Sequence, residues 1–169
     1  MPGPFIIEPL SGSLIRTGFS CGVLELDRYF RENVSQDIKR RVSNCFVALD
    51  EAGAIAAYYT LAATSLPLTE LPVALTKRLP RYPLVPAGLI GRLAVDERYR
   101  RQGLGAALVV DAVGRAMRSE PAIFALVVHA KDETASGFYQ HLGFRPFASV
   151  PMRLFIPIAE AARRLSEAE

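Results

Sequence analysis

Apolar positions along the chain change period several times, and each change marks an element. Phe5–Leu10 is a short apolar run that predicts an edge strand. After Cys21 and Gly22, residues Leu26, Tyr29, Phe30 and Val34 recur at helical spacing, which predicts one or two helices over 23–42. Two apolar runs, Cys45–Leu49 and Ile55–Ala63, flank Asp50-Glu51-Ala52-Gly53, a turn composition, and predict a hairpin. From Pro67 to Pro86 prolines interrupt every periodicity, so a long connection is expected, with one or two helical turns over Val73–Leu79. Leu89–Val95 resumes as an apolar strand broken at Gly91 and Arg92. Leu104, Leu108, Ala112 and Met117 then lie roughly along one face of a helix over Leu104–Met117.

The second half is as legible. Ile123–His129 is almost continuously apolar, as a strand covered on both faces would be. Asp132 stands where an N-cap belongs, Ala135, Phe138, Tyr139 and Leu142 follow at helical spacing, and Gly143 ends that helix. Phe144–Phe147 and Met152–Ile156 predict a last pair of strands, and Ile158–Leu165 a terminal helix. The order is β-α-α-β-β, an irregular segment, then β-α-β-α-β-β. It predicts an α/β (α+β) fold, a mixed sheet flanked by helices. With no repeat, low-complexity tract or linker, residues 1–169 are expected to form a single domain, since one domain takes ~100–200 residues.

Composition narrows the class. Half of the 169 residues are hydrophobic and 22% are charged, which excludes a disordered chain. Two cysteines, Cys21 and Cys45, are too few for a disulfide scaffold and lack metal-ligand spacing, so buried small side chains and no metal site are expected. No apolar run approaches the ~20 residues of a membrane span, and no basic region precedes an apolar core at the N-terminus. A soluble, cytoplasmic protein without a membrane partner is expected.

The net charge of +3 is modest, but the stretch Lys77–Arg101 alone carries an excess of five positive charges. Its cations are Lys77, Arg78, Arg81, Arg92, Arg98, Arg100 and Arg101. An anionic ligand and a solvated basic face both account for such a run. The more specific signal is its C-terminal end, where the strand Leu93-Ala94-Val95 enters a basic loop, then Gly103 and Gly105, then an apolar-periodic helix. Glycine lets backbone approach a ligand closely, and a helix start offers unpaired N–H groups. With Arg100 and Arg101 beside it, this turn suits a pyrophosphate. It is neither a P-loop, lacking G-x-x-x-x-G-K-[ST], nor a dinucleotide fingerprint, lacking G-x-G-x-x-G.

Arg100-Arg101-Gln102-Gly103-Leu104-Gly105 resembles the R/Q-x-x-G-x-G/A signature of the GNAT superfamily of N-acetyltransferases. The order of elements and the late Phe138-Tyr139 followed by Gly143-Phe144 resemble that superfamily too. From about Phe19 to Ile156 the chain is most similar to the acetyltransferase toxins of bacterial toxin–antitoxin pairs. The matching pieces include Phe19-Ser20-Cys21-Gly22, Tyr58-Tyr59-Thr60-Leu61-Ala62, Gly91-Arg92-Leu93-Ala94-Val95-Asp96 and Phe138-Tyr139-Gln140-His141-Leu142-Gly143-Phe144. One departure is the small pair Ser136-Gly137, where relatives often carry longer polar residues.

The resemblance implies a mostly antiparallel sheet of six to seven strands, splayed at its centre. It implies that acetyl-CoA is the acetyl donor, its pyrophosphate held by Arg100, Arg101 and the backbone of Gln102, Gly103, Leu104, Gly105 and Ala106. Its pantetheine arm would lie along Leu93, Ala94 and Val95, with Ser136 nearby. It further implies that the acceptor is the amino group of aminoacyl-tRNA and that acetylation stops translation. A ribbon–helix–helix antitoxin, operator DNA bound through it, and a homodimer are the implied partners. A GNAT enzyme acting on a small amine or a protein amino group, and a non-catalytic acyl-CoA-binding module, are the competing readings.

Roles follow from the reaction. A thiolate leaving group needs a proton, and Tyr139 is the candidate donor, since a phenol of pKa ~10 is matched to that task; the resemblance puts the same tyrosine beside the thioester sulfur. Peptide α-amino groups titrate near pKa ~8, so a water suffices to take the acceptor's proton. His129 at a strand end is a second candidate relay or a structural residue, and His141 is expected to face solvent. Lys77, Arg78, Arg81 and Arg92 are left over from the phosphate turn and are candidates for tRNA phosphates.

Overall fold

The computed structural model describes residues 5–168, which divide into two compact units. The first runs to Ala62 and resumes over Gly91–Ala112; the second comprises Ala63–Ile90 and Val113 onward. The chain changes unit inside three elements: β3 (Ile55–Pro67), β4 (Leu84–Val95) and α4 (Leu104–Met117).

In the first unit, β1 (Ile6–Pro9) pairs antiparallel with β2 (Asn44–Leu49), which pairs antiparallel with β3. The expected hairpin turn is built on Asp50, whose Oδ1 accepts from the N–H groups of Ala52 at 3.0 Å and Ala54 at 2.8 Å. Gly53 completes it at φ +84°, a conformation that glycine adopts without a Cβ penalty.

The helical stretch expected over 23–42 is one run with a change of pitch. α1 (Leu24–Arg28) passes into a π-helical turn, Tyr29–Asn33, and then into α2 (Val34–Lys39). Arg16 reaches into this wide turn, its Nη1 donating to the Phe30 carbonyl at 2.9 Å. The apolar face packs with Phe19, Phe30 and Tyr58, the last two stacked at 4.2 Å and 10°. At about 1.5–3 kcal/mol per fully buried large side chain, this cluster anchors the unit.

In the second unit, β4 and β5 (Ala125–His129) run parallel, in register from Ala87–Ala125 to Ile90–Val128. β5 pairs antiparallel with β7 (Arg153–Pro157), and β6 (Arg145–Pro146) pairs with β7. Leu66, Val85, Val127, Phe147 and Phe155 form its core. Its shorter helices are α3 (Val73–Thr76), α5 (Glu133–His141) and α6 (Ile158–Ala168). Asp132 caps α5 by accepting from the Ala135 N–H at 2.8 Å, and Gly143 follows the helix at φ +107°.

Among the described residues the sheet has seven strands in the order β1-β2-β3-β4-β5-β7-β6, with helices flanking it, mixed and mostly antiparallel as expected. One boundary differs in kind. Gly91 and Arg92 do not break β4, which is continuous from Leu84 to Val95. Thr60 Oγ1 accepts the Arg92 N–H at 3.0 Å, and a Cβ on Gly91 would lie 3.1 Å from that oxygen. The glycine thus permits a close approach. Among the described residues no helix is long and apolar enough to cross a membrane.

Candidate active site

The turn after β4 is built on a buried carboxylate. Asp96, 2% exposed, accepts from the Arg98 N–H at 3.0 Å, Arg98 Nε at 3.0 Å, Arg98 Nη2 at 3.2 Å and the Ser20 N–H at 3.1 Å. Burial alone would raise its pKa, but the bonds from Arg98 and Ser20 outweigh burial and hold it below the usual carboxylate range. A carboxylate with a depressed folded pKa stabilises the fold above its ordinary pKa, and that contribution is lost as pH falls through the folded value. Asp96→Asn removes charge-assisted bonds worth about 1.5–3 kcal/mol each. At about 2–4 °C per kcal/mol for a chain of this size, melting near pH 7 is expected to fall by at least 4 °C. The gap from the unmodified chain should narrow on acidification below pH ~4, the range of an ordinary carboxylate. Equal melting temperatures at pH 7 would contradict this role.

The loop preceding α1 is tied to the same turn. Asp27, also buried, accepts the Cys21 N–H at 2.9 Å, and Arg100 Nη2 donates to the Cys21 carbonyl at 3.0 Å. Arg100 also lies 3.5 Å from Glu97 Oε1. The pair closes over Gly22 at φ +88°, where a Cβ would stand 2.7 Å from Glu97 Oε1 and 2.9 Å from Arg100 Nη2. Arg100, expected on a phosphate, here fastens a loop, and Arg98 is neutralised by Asp96.

Beyond them the backbone enters unusual territory. Arg101 has φ +64° and Gly103 φ +75°. A non-glycine residue there stores strain of order 1–3 kcal/mol. Arg101 has no ion-pair partner among the described residues. The Ala107 N–H bonds the Gly103 carbonyl at 3.0 Å, so those of Leu104, Gly105 and Ala106 precede the first helical bond and have no partner within α4. A Cβ on Gly103 would meet nothing within 4 Å, so this side of the turn is open. Arg101, the exposed Gln102 and these amides therefore fit a pyrophosphate. Leu93 and Val95, half-buried, flank the buried Ala94 in the part of β4 beyond its register with β5.

Arg92, a candidate for tRNA phosphates, is stacked, its Cζ 3.5 Å from the centroid of Tyr29. Tyr29 Oη donates to Asp37 Oδ2 at 2.6 Å, and burial together with this bond pushes the phenol well above its ordinary pKa. Leu24, Glu25, Arg28 and Asn33 complete a cavity of about 580 Å³ around the stack. The sequence does not reveal this stack; Tyr29 is marked there by helical spacing and by its place in the stretch Leu26-Asp27-Arg28-Tyr29-Phe30 that resembles the family.

The second unit holds the remaining candidates. Tyr139 on α5 is buried, its ring edge-on to Phe138 at 5.0 Å and Phe144 at 5.4 Å. Burial pushes its phenol up to about 12, and its hydroxyl has no hydrogen-bond partner among the described residues. The phenol therefore keeps its proton at any physiological pH. Ser136, one turn earlier, is buried and accepts Gln140 Nε2 at 3.1 Å. His129 lies at the exposed end of β5 opposite Arg153; partial burial and that arginine lower its pKa, so it is largely neutral at pH 7. His141 is exposed, as expected. Lys77, Arg78 and Arg81 are exposed and have no ion-pair partner among the described residues. Among those residues no three His, Cys, Asp or Glu side chains group as metal ligands, and both cysteines are buried and unpaired with each other.

Comparison with known proteins identifies the family. The family described as Acetyltransferase (GNAT) domain matches residues 41–146, which contain the turn, α4 and Tyr139. A protein of Mycobacterium tuberculosis (strain ATCC 25618 / H37Rv) named tRNA-acetylating toxin is 33% identical over 147 residues, 86% of this chain and 87% of that one. The solved structure of AtaT complexed with acetyl-methionyl-tRNAfMet superposes with a TM-score of 0.88 at 25% identity, covering 95% of this chain and 99% of that one. AtaT bound to the C-terminus of the antitoxin AtaR and acetyl-CoA shares the fold, with a TM-score of 0.80 at 22% identity over 96% of this chain and 98% of that one. The chain belongs to the GNAT acetyltransferases and is an acetyl-CoA-dependent N-acetyltransferase.

Proposed function

We propose that this protein is a toxin that acetylates the amino group of aminoacyl-tRNA, blocks translation and is neutralised by a cognate antitoxin. The similarity to a tRNA-acetylating toxin along most of both chains carries this reading. The open glycine turn and the loaded phenol support it.

Acetyl-CoA supplies the activated acetyl group. The amides of Leu104, Gly105 and Ala106, with Gln102 and Arg101, hold its pyrophosphate, and the helix dipole of α4 adds to their field. Leu93, Ala94 and Val95 offer backbone groups to its pantetheine arm, and Ser136 is a further contact. Tyr139 gives its proton to the departing sulfur. The acceptor amine, with pKa ~8, is sufficiently deprotonated near neutrality to attack once its proton passes to water. Lys77, Arg78, Arg81 and Arg92 meet phosphates of the tRNA. Neither unit is a continuous stretch of chain, which supports one catalytic domain over residues 1–169. The remaining proposals are a cytoplasmic protein, a homodimer, and a ribbon–helix–helix antitoxin that also binds operator DNA.

Cell-free translation tests the biological reading. Added protein should stop synthesis only when acetyl-CoA is present. Equal inhibition without acetyl-CoA would contradict it.

A further inference from the structure

The basic run is not uniform. Arg98 and Arg100 are occupied by Asp96, Glu97 and the Cys21 carbonyl, and Arg92 is stacked on Tyr29. In the second unit Lys77, Arg78 and Arg81 have no ion-pair partner among the described residues, and two of them, Lys77 and Arg81, line one concavity of about 790 Å³. Leu68, Leu79 and Pro83 give it an apolar share of lining, and Thr69 and Thr76 also line it. Tyr82 stands at this concavity 68% exposed, and among the described residues no ring or hydrogen-bond contact engages it. A large aromatic left in water beside two unpaired cations and apolar lining residues is the combination that a nucleotide uses. The phosphates meet the cations, the ribose meets hydroxyls, and the base covers the ring. A duplex offers no free base face to such a ring, whereas an unpaired strand does.

We infer that Lys77, Arg81 and Tyr82 form a subsite for an unpaired nucleotide of the RNA substrate, with Tyr82 stacking its base. This rests on the proposed tRNA substrate and adds a residue that the basic run alone does not reveal. An acidic peptide would use the cations but would gain little from the exposed ring.

The test is binding of a fluorescein-labelled single-stranded octaribonucleotide ending in CCA, of the same RNA annealed into a duplex, and of polyglutamate as competitor. Tyr82→Ala is expected to weaken single-strand binding about tenfold and to leave the salt slope in place, while Tyr82→Phe stays within about twofold because the ring remains. Lys77→Ala with Arg81→Ala is expected to reduce the slope of log affinity against log salt by about 1.4, or ~0.7 per contact on a single strand. All three positions are exposed, so the variants should fold; unchanged melting confirms it. Tyr82→Ala binding as tightly as the unmodified chain, Tyr82→Phe losing as much as Tyr82→Ala, or polyglutamate displacing the RNA at equal charge would each overturn the subsite. Those results leave acetyl transfer to charged tRNA untouched, whereas failure of that transfer in the unmodified protein counts against the substrate itself.

Discussion

Tyr139→Phe is expected to lower turnover by about 10²–10⁴-fold, the range for loss of a positioned general acid. Acetyl-CoA affinity should stay within about twofold. The ring is held between Phe138 and Phe144, so phenylalanine fills the same space and only the hydroxyl is lost. That hydroxyl has no protein partner to leave stranded among the described residues, so melting should barely move. The pH profile gives a second check. Burial raises the Tyr139 pKa to about 12, and a raised pKa keeps the donor protonated throughout the working range. Turnover should therefore rise through the acceptor amine's pKa of ~8 and then stay level toward pH 10. Unchanged kcat in the variant, or an alkaline fall near an ordinary phenol's pKa, would remove Tyr139 from this role.

Gly103→Val is expected to raise the KM for acetyl-CoA by about tenfold or more. Gly103 sits at φ +75°, where a β-branched residue is strained by about 1–3 kcal/mol. An added Cβ there meets nothing within 4 Å, so the first carbon of the new side chain is accommodated. The added side chain projects from the turn that presents the first amides of α4, and strain at Gly103 tilts those amides. Melting should fall by only a few degrees, consistent with ~2–4 °C per kcal/mol. Isothermal titration with acetyl-CoA separates the two effects. Retained affinity in a stable Gly103→Val protein would place the pyrophosphate elsewhere.

These two positions also show what a sequence makes legible. α4 falls over Leu104–Met117 as its periodicity predicts, with Leu104, Leu108 and Ala112 buried, whereas Met117, expected on the same face, is exposed at the helix end. α5 follows its cap and glycine signals because both act locally, through the Asp132 carboxylate and the Gly143 backbone. What stayed hidden depends on residues distant in sequence. The π turn at Tyr29–Asn33 receives Arg16 on its Phe30 carbonyl, and β4 next to Gly91 donates its Arg92 N–H to Thr60. The basic run is the sharpest case. Arg100 and Arg81 are the same residue type, yet one is bound to the Cys21 carbonyl and the other is unpaired among the described residues. Composition counts both as cations, and only tertiary structure separates a loop fastener from a candidate ligand. Asp96 was equally quiet in sequence, an acid at the end of a strand. The Asx-turn geometry that it adopts toward Arg98 is its one local signature.

The central claim is the acceptor. Incubating the protein with acetyl-labelled acetyl-CoA and a panel of charged tRNAs measures it directly. The account predicts label on the aminoacyl group of at least one charged tRNA, none on the same tRNA uncharged, and loss of that label with Tyr139→Phe. Label on no aminoacyl-tRNA, with acetyl-CoA bound or spent on small amines instead, would contradict it.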